Sequence, residues 1–272
     1  MLGPCTHHTL MFSPRIQAAV LRSPAGASTL VAADVVTAPL LDLDPELGRG
    51  LTPALREQVR QWLSVPVWSL PRGEWPVDAQ PKGGMGLLVL DGVVTRNVSL
   101  GRIAYPELLG PGDLMRPGGA PTGGNVPVEV DWCVLEPARI AVLDHRFSSI
   151  VCRWPEVVDE LLDRALRRAQ ELDLHMAIAQ LPLLELRLLG LFWHLADRWG
   201  RPGPDGVKVP VRLTHSLLAA LVLGRRPSTS RALTELANRG LVTRVEDGWM
   251  LHGDPPTELH KHSRRDGGAL SL

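Results

Sequence analysis

The chain has 272 residues, 44% of them apolar, and 29 Lys+Arg balanced by 29 Asp+Glu, which is the length of roughly two domains and the composition of an ordinary globular protein. A zero formal charge gives no global sign of a nucleic-acid partner, and no run approaches the ~18 apolar residues of a membrane span. Three cysteines, Cys5, Cys133 and Cys152, make neither a disulfide framework nor the four-thiolate set of a zinc or iron–sulfur site, so a reducing cytoplasm is expected. The charge is unevenly spread: residues 182–272 carry 13 Lys+Arg against 9 Asp+Glu, and residues 1–181 carry 16 against 20.

Residues 1–34 hold Pro, Gly, Ser and His without a sustained period or the compact apolar stretch of a secretory signal, and read as a loosely ordered leader. From Val35 to Leu63 the pattern predicts short helices and turns. From Val65 to Leu143 brief apolar runs such as "GLLVLDGVV", "RIAYPELLGPGDLM" and "ARIAVLD" are cut by Gly, Pro and Asp, which predicts short strands in a barrel or sandwich. Asp91-Gly92 suits a hairpin turn, and "RPGGAPTGGN" (116–125) reads as a loop. Residues 35–154 are thus taken as one β-roll domain.

Residues 155–181 turn helical. Val158, Leu162, Ala165, Ala169, Leu172, Met176 and Ala179 alternate spacings of four and three, the pattern of a coiled-coil seam. Pro155 suits the first turn, Pro182 ends the segment, and Glu156, Asp159 and Glu160 lie near the positive end of the helix dipole. A stripe of ~40 Å is longer than a small barrel covers, so a dimer seam is favoured over packing within one domain.

Residues 182–253 form the next unit, followed by a tail at 254–272. "LLELRLLGLFWHLADRWG" (183–200) is a broad-faced helix in which Trp193, His194 and Trp199 read as core packing. In "LTHSLLAALVLGRRPSTSRALTELANRGLV" (213–242) Thr214 can cap a helix starting at His215. That helix turns Leu217, Leu218, Leu221 and Val222 inward; Gly224 permits a turn, and Pro227 stands in the first turn of a second helix whose buried face is Leu233, Leu236 and Ala237. Arginines and small hydroxyls at the head of that helix are the make-up of a helix-turn-helix reading the major groove. The candidate DNA-binding residues are Thr214, His215, Ser216, Arg225, Arg226, Pro227, Ser228, Ser230, Arg231 and Thr234. "LVTRVEDGWMLHG" then reads as a hairpin wing turning at Asp247-Gly248, with "VKVPV" (207–211) as a third strand.

A barrel enzyme with a bound metal would need several His within its strands, and residues 65–143 contain none. "GGMG" (83–86) reads as a turn, His7-His8 and His260-Lys261-His262 as solvated tails, and Cys133 and Cys152 as small hydrophobes. No catalysis and no metal are expected.

In this order, the strand region ending in "ELLGPGDLM", the long helix, and the helix-turn-helix with its wing resemble the Crp/Fnr family of bacterial transcription regulators over about residues 40–252. The resemblance implies an α+β chain: a jelly-roll-like, cyclic-nucleotide-binding-like β-roll, a dimerisation helix, and a winged helix-turn-helix whose second helix enters the major groove of double-stranded DNA. It also implies a homodimer, contact with RNA polymerase and a small-molecule effector of unknown identity. By that resemblance Gly112, Asp113, Leu114 and Arg116 mark a degenerate effector site. Where nucleotide-binding members carry a Gly-Glu pair for the ribose, this chain has Arg116-Pro117. The Arg-Ser or Arg-Thr phosphate pair aligns with Val128-Glu129, so cyclic AMP is not expected to bind, and an iron–sulfur cluster lacks its four cysteines. Pro227 stands where cyclic-AMP-type members carry a base-reading Glu, while Arg226 and Arg231 match their arginines. Two other readings are a sensor acting through protein contacts alone and a constitutive DNA binder.

Overall fold

The chain enters its first sheet through β1 (Ala33–Pro39), where short helices and turns were expected from Val35 onward; Val35, Val36 and Thr37 are β-branched, and the strand is held by antiparallel pairing to β2 (Ser64–Leu70). In this computed structural model residues 33–75, 84–101, 103–116, 126–257 and 259 are described. Most of the leader, positions 117–125 of the expected loop and most of the tail beyond residue 254 lie outside them.

Between β1 and β2 come α1 (Leu40–Leu43), a 3-10 turn at Pro45–Gly48 and α2 (Pro53–Trp62), whose first turn is capped by the Thr52 hydroxyl. The sheet continues with β3 (Gly73–Glu74), β4 (Gly86–Leu100), β5 (Ile103–Leu109), β6 (Leu114–Met115) and β7 (Glu129–Leu143). These make a seven-stranded antiparallel sheet ordered β1-β2-β7-β4-β5, with β3 on β7 and β6 on β4.

Asp91 and Gly92 do not turn a hairpin. They form a bulge inside β4, which is 15 residues long and pairs with β7 from Gly86 to Ser99. The Asp91 carboxylate accepts from the backbone N–H of Arg139 at 3.2 Å and from its Nε at 2.5 Å, while Gly92 has φ +82° and lies so close to β7 that a Cβ would stand 2.3 Å from the Pro137 carbonyl oxygen.

One face of this sheet buries Val89, Leu109, Trp132 and Ile140 inside the roll. The other is covered by α1, α2, α3 (His145–Val151) and the start of α4 (Pro155–Ala179), with Leu40, Leu63, Leu88, Phe147 and Leu161 fully or nearly fully buried. The stripe of α4 that packs on its own chain is Val157, Leu161, Arg164, Arg168, Glu171, His175 and Ile178, one position earlier than the apolar seam. Of that seam Leu162 and Met176 are 55% and 58% exposed, Ala165 and Ala169 are exposed, Val158 and Leu172 are half-buried, and Ala179 is buried.

After α5 (Leu184–Trp199) come β8 (Arg201–Gly203), β9 (Gly206–Val209), α6 (His215–Leu221), α7 (Arg226–Asn238), β10 (Val242–Val245) and β11 (Gly248–Leu251). The second sheet is ordered β10-β11-β9-β8; its edge strand β8 has no apolar pattern and was not expected. Leu188, Phe192, Leu218, Leu233, Leu236 and Trp249 form its core, which Val93 and Leu108 of the β-roll join, so both parts belong to one packed unit. The fold is α+β, as expected.

Candidate nucleic-acid interface

Thr214 begins α6 as its cap, its hydroxyl accepting from the Leu217 N–H at 3.2 Å. The turn after α6 is not made by Gly224. Leu223, 57% exposed, is the residue with positive φ (+51°), whereas a Cβ on Gly224 would meet Thr229 Oγ1 at 3.0 Å and Leu184 Cδ1 at 3.1 Å. Gly224 serves the close approach of α7, and its neighbour takes the left-handed conformation.

Arg225 precedes α7, and Pro227 occupies its first turn, where a missing N–H costs nothing. The buried face is Thr229, Ala232, Leu233 and Leu236; Ala237, expected inside, is exposed. Arg225, Arg226, Pro227, Ser228, Arg231 and Thr234 are exposed at the front and outer side of the helix. Arg226 and Arg231 enter no ion pair among the described residues, which leaves both guanidinium forks available.

Three of the expected contact residues, His215, Ser230 and Thr234, are already engaged with one another. His215 Nδ1 shares a hydrogen bond of 3.0 Å with Ser230 Oγ, joining α6 to α7, and Thr234 Oγ1 donates to the Ser230 carbonyl at 3.0 Å. Ser216 is half-buried on α6. The His215 imidazole is held below its ordinary value by burial and then by the charges of Arg244 and Arg226, so it is neutral beside the positive surface. Arg244 is exposed on the wing strand β10 and was missed as a site residue; strict alternation puts it on the same face as the buried Val242, so the strand pattern of "LVTRV" carries no signal for its exposure. At the wing turn Lys208 pairs with Asp247.

The arrangement can place the head of α7 in a groove with a wing beside it, as helix-turn-helix proteins do. A family model described as the Crp-like helix-turn-helix domain matches residues 186–254. These residues are a Crp-like helix-turn-helix domain.

This Crp-like domain sits in a chain that is 31% identical over 140 residues to the regulatory protein CysR of Synechococcus elongatus; the match covers 50% of this chain and 60% of that protein. The chain therefore spans less than two thirds of that relative's length. In fold it is similar to a CooA mutant from Carboxydothermus hydrogenoformans, with 18% identity, TM-score 0.56 and coverage of 83% of this chain and 95% of that one. It is also similar to a cyclic nucleotide-binding domain containing protein from Listeria monocytogenes, with 17% identity, TM-score 0.56 and coverage of 76% and 96%.

The residues marked for an effector are tied to the chain itself. Asp113 Oδ2 accepts from the Gly110 N–H at 2.7 Å and from Arg198 Nη2 of the Crp-like domain at 2.6 Å. Leu114 pairs with Leu88, and its carbonyl accepts from Arg168 Nη1 at 3.2 Å. Arg116 Nη2 donates to the Gly84 carbonyl at 2.6 Å, and Gly112, with φ +88°, turns the chain between them. Pro117 lies outside the described residues. Glu129 is exposed at the start of β7. The Asp113 carboxylate is thus taken up by partners of the same chain. Among the described residues no group of three or more His, Cys, Asp or Glu could hold a metal ion, and no helix is long and apolar enough to cross a membrane.

Proposed function

We propose that the chain is a homodimeric, sequence-specific transcription regulator of the Crp/Fnr type that works in the cytoplasm, binds double-stranded DNA through α7 and performs no catalysis. The observation that carries this reading is the exposed Arg226 and Arg231 at the head of a helix whose other face is built into a winged domain. The homodimer is supported by the apolar stripe of α4 that its own chain leaves uncovered. A symmetric pair would present two α7 helices to a two-fold symmetric site, and RNA polymerase is the partner through which such a complex would act.

Cyclic AMP and an iron–sulfur cluster have no place in this proposal. A constitutive, ligand-independent mode is favoured over an effector-gated one by the occupation of Asp113 and Arg116 by partners of the same chain. Selection of genomic fragments by the full chain tests the reading: recovery of a two-fold symmetric sequence supports it, and recovery of no specific fragment contradicts it. Added metabolite extract then separates the two modes, because a constitutive binder keeps its affinity unchanged.

A further inference from the structure

A charged layer that the DNA-binding surface does not use lies between β5, α4 and α5. Glu107, 5% exposed, accepts from Arg168 Nε at 2.6 Å and Nη2 at 2.9 Å, and pairs with Arg96 at 3.5 Å. Asp113 holds Arg198 at 2.6 Å, and Arg198 Nε reaches Glu171 at 3.1 Å. Beside them two histidines are buried, His175 on α4 and His194 on α5, with ring centroids 6.4 Å apart. His175 Nε2 donates to the Leu221 carbonyl at 2.9 Å, at the last residue of α6 and immediately before the turn that leads to Arg225 and Arg226. Glu107, Arg168, Glu171, His175, His194 and Arg198 line a cavity of about 20 Å³, room for about one water.

We infer that this layer is a clamp that positions the α6–α7 pair against the β-roll, and that proton uptake by His194 and His175 opens it, so that DNA affinity falls on acidification. The inference rests on the proposal that α7 binds DNA. Three guanidiniums, Arg96, Arg168 and Arg198, face three carboxylates, Glu107, Asp113 and Glu171, and each carboxylate already has its partner. A proton on either imidazole adds a buried cation without an anion left for it. From β5 the remaining titratable group is Tyr105, whose ring lies 5.5 Å from His175 and whose hydroxyl, pushed up to about 12 by burial and then by Glu107, stays neutral. From α6 the clamp meets the Leu221 carbonyl.

The sign follows from the histidines. His194 is pulled down from 6.5 to about 4, by burial first and then by the charges of Arg198 and His175; His175 is lowered as well, mainly by burial. The docked state therefore binds fewer protons than the open one, and its advantage, complete above pH 6.5, is lost as the pH falls from there toward about 4. His194 alone weakens docking about tenfold at about pH 5.5. Asp113 and Glu171 are held up by burial and act in the opposite sense, so histidine variants are what separate the two contributions.

The test uses the full chain and two readouts at about pH 7.5 and 5.5: amide exchange in α6, corrected for its intrinsic pH dependence, and affinity for a selected DNA fragment. The wild type is expected to show up to about tenfold faster exchange at the lower pH, and DNA binding that weakens in proportion to the fraction of the chain that opens. His194→Gln and, as an apolar alternative, His194→Phe are expected to reduce that dependence sharply while the chain remains folded at the higher pH. Unchanged exchange in the wild type, or the same dependence in whichever variant folds, overturns the inference. Exchange that responds while no DNA is bound at any pH supports the clamp and contradicts the proposed function instead.

Discussion

Asp113, in the turn between β5 and β6, and Arg198, on the second-last position of α5, meet at 2.6 Å and join the β-roll to the Crp-like domain. Both side chains are nearly buried, so the pair is hydrogen-bonded and largely shielded from water. Removing one partner leaves the other charge buried. Asp113→Ala, which leaves Arg198 with Glu171 as its remaining partner at 3.1 Å, is expected to cost about 1–3 kcal/mol in denaturant unfolding. An unchanged midpoint contradicts a structural junction there.

The turn holding Asp113 is also closed by a contact that only glycine allows. A Cβ on Gly110 would lie 2.5 Å from the Trp199 ring, over which the Arg198 guanidinium stacks at 4.5 Å. Gly110→Ala is expected to displace that ring, with a cost of about 1–3 kcal/mol and a shifted tryptophan emission. Wild-type emission and stability in the variant would contradict the packing.

How much of this was legible in the sequence depended on how local the cause was. Thr214, Pro227 and Asp247-Gly248 act within a few residues, and the helix-turn-helix with its wing emerged from them, although the two turn residues are Glu246 and Asp247 and Gly248 already opens β11. Asp91-Gly92 fits a hairpin and a bulge equally well, and the choice is made by β7, about 45 residues away. β1 was missed because the strand that holds it begins 25 residues after β1 ends. On α4 two neighbouring stripes share one spacing. Counting apolar residues finds the uncovered stripe and passes over the one that packs inward, because Arg164, Arg168, Glu171 and His175 lie on it. Their value comes from Asp44, Glu107, Arg198 and Leu221, partners from distant parts of the chain.

The uncovered stripe gives a test of the homodimer. Leu162→Glu combined with Met176→Glu places charges on side chains that are more than half exposed in the single chain, so its fold should be kept. Sedimentation is expected to show a monomer with an unchanged circular-dichroism spectrum. A variant that sediments as the wild type does would contradict a seam along this face.

On the proposed reading Arg244 on the wing and the arginines of α7, all exposed, neutralise phosphates, so log affinity should fall linearly with log salt. Arg244→Ala is expected to weaken binding to all sequences alike and to reduce the salt slope by about one. A loss confined to one sequence would make Arg244 a base reader instead.

The central claim is that α7 reads base edges through Arg226 and Arg231. It is tested most directly by measuring affinity for a selected fragment and for scrambled DNA with Arg226→Ala and Arg231→Ala. Each variant is expected to lose about 1–3 kcal/mol on the selected fragment and much less on scrambled DNA, with folding stability unchanged. Wild-type affinity for the selected fragment in both variants would contradict the account.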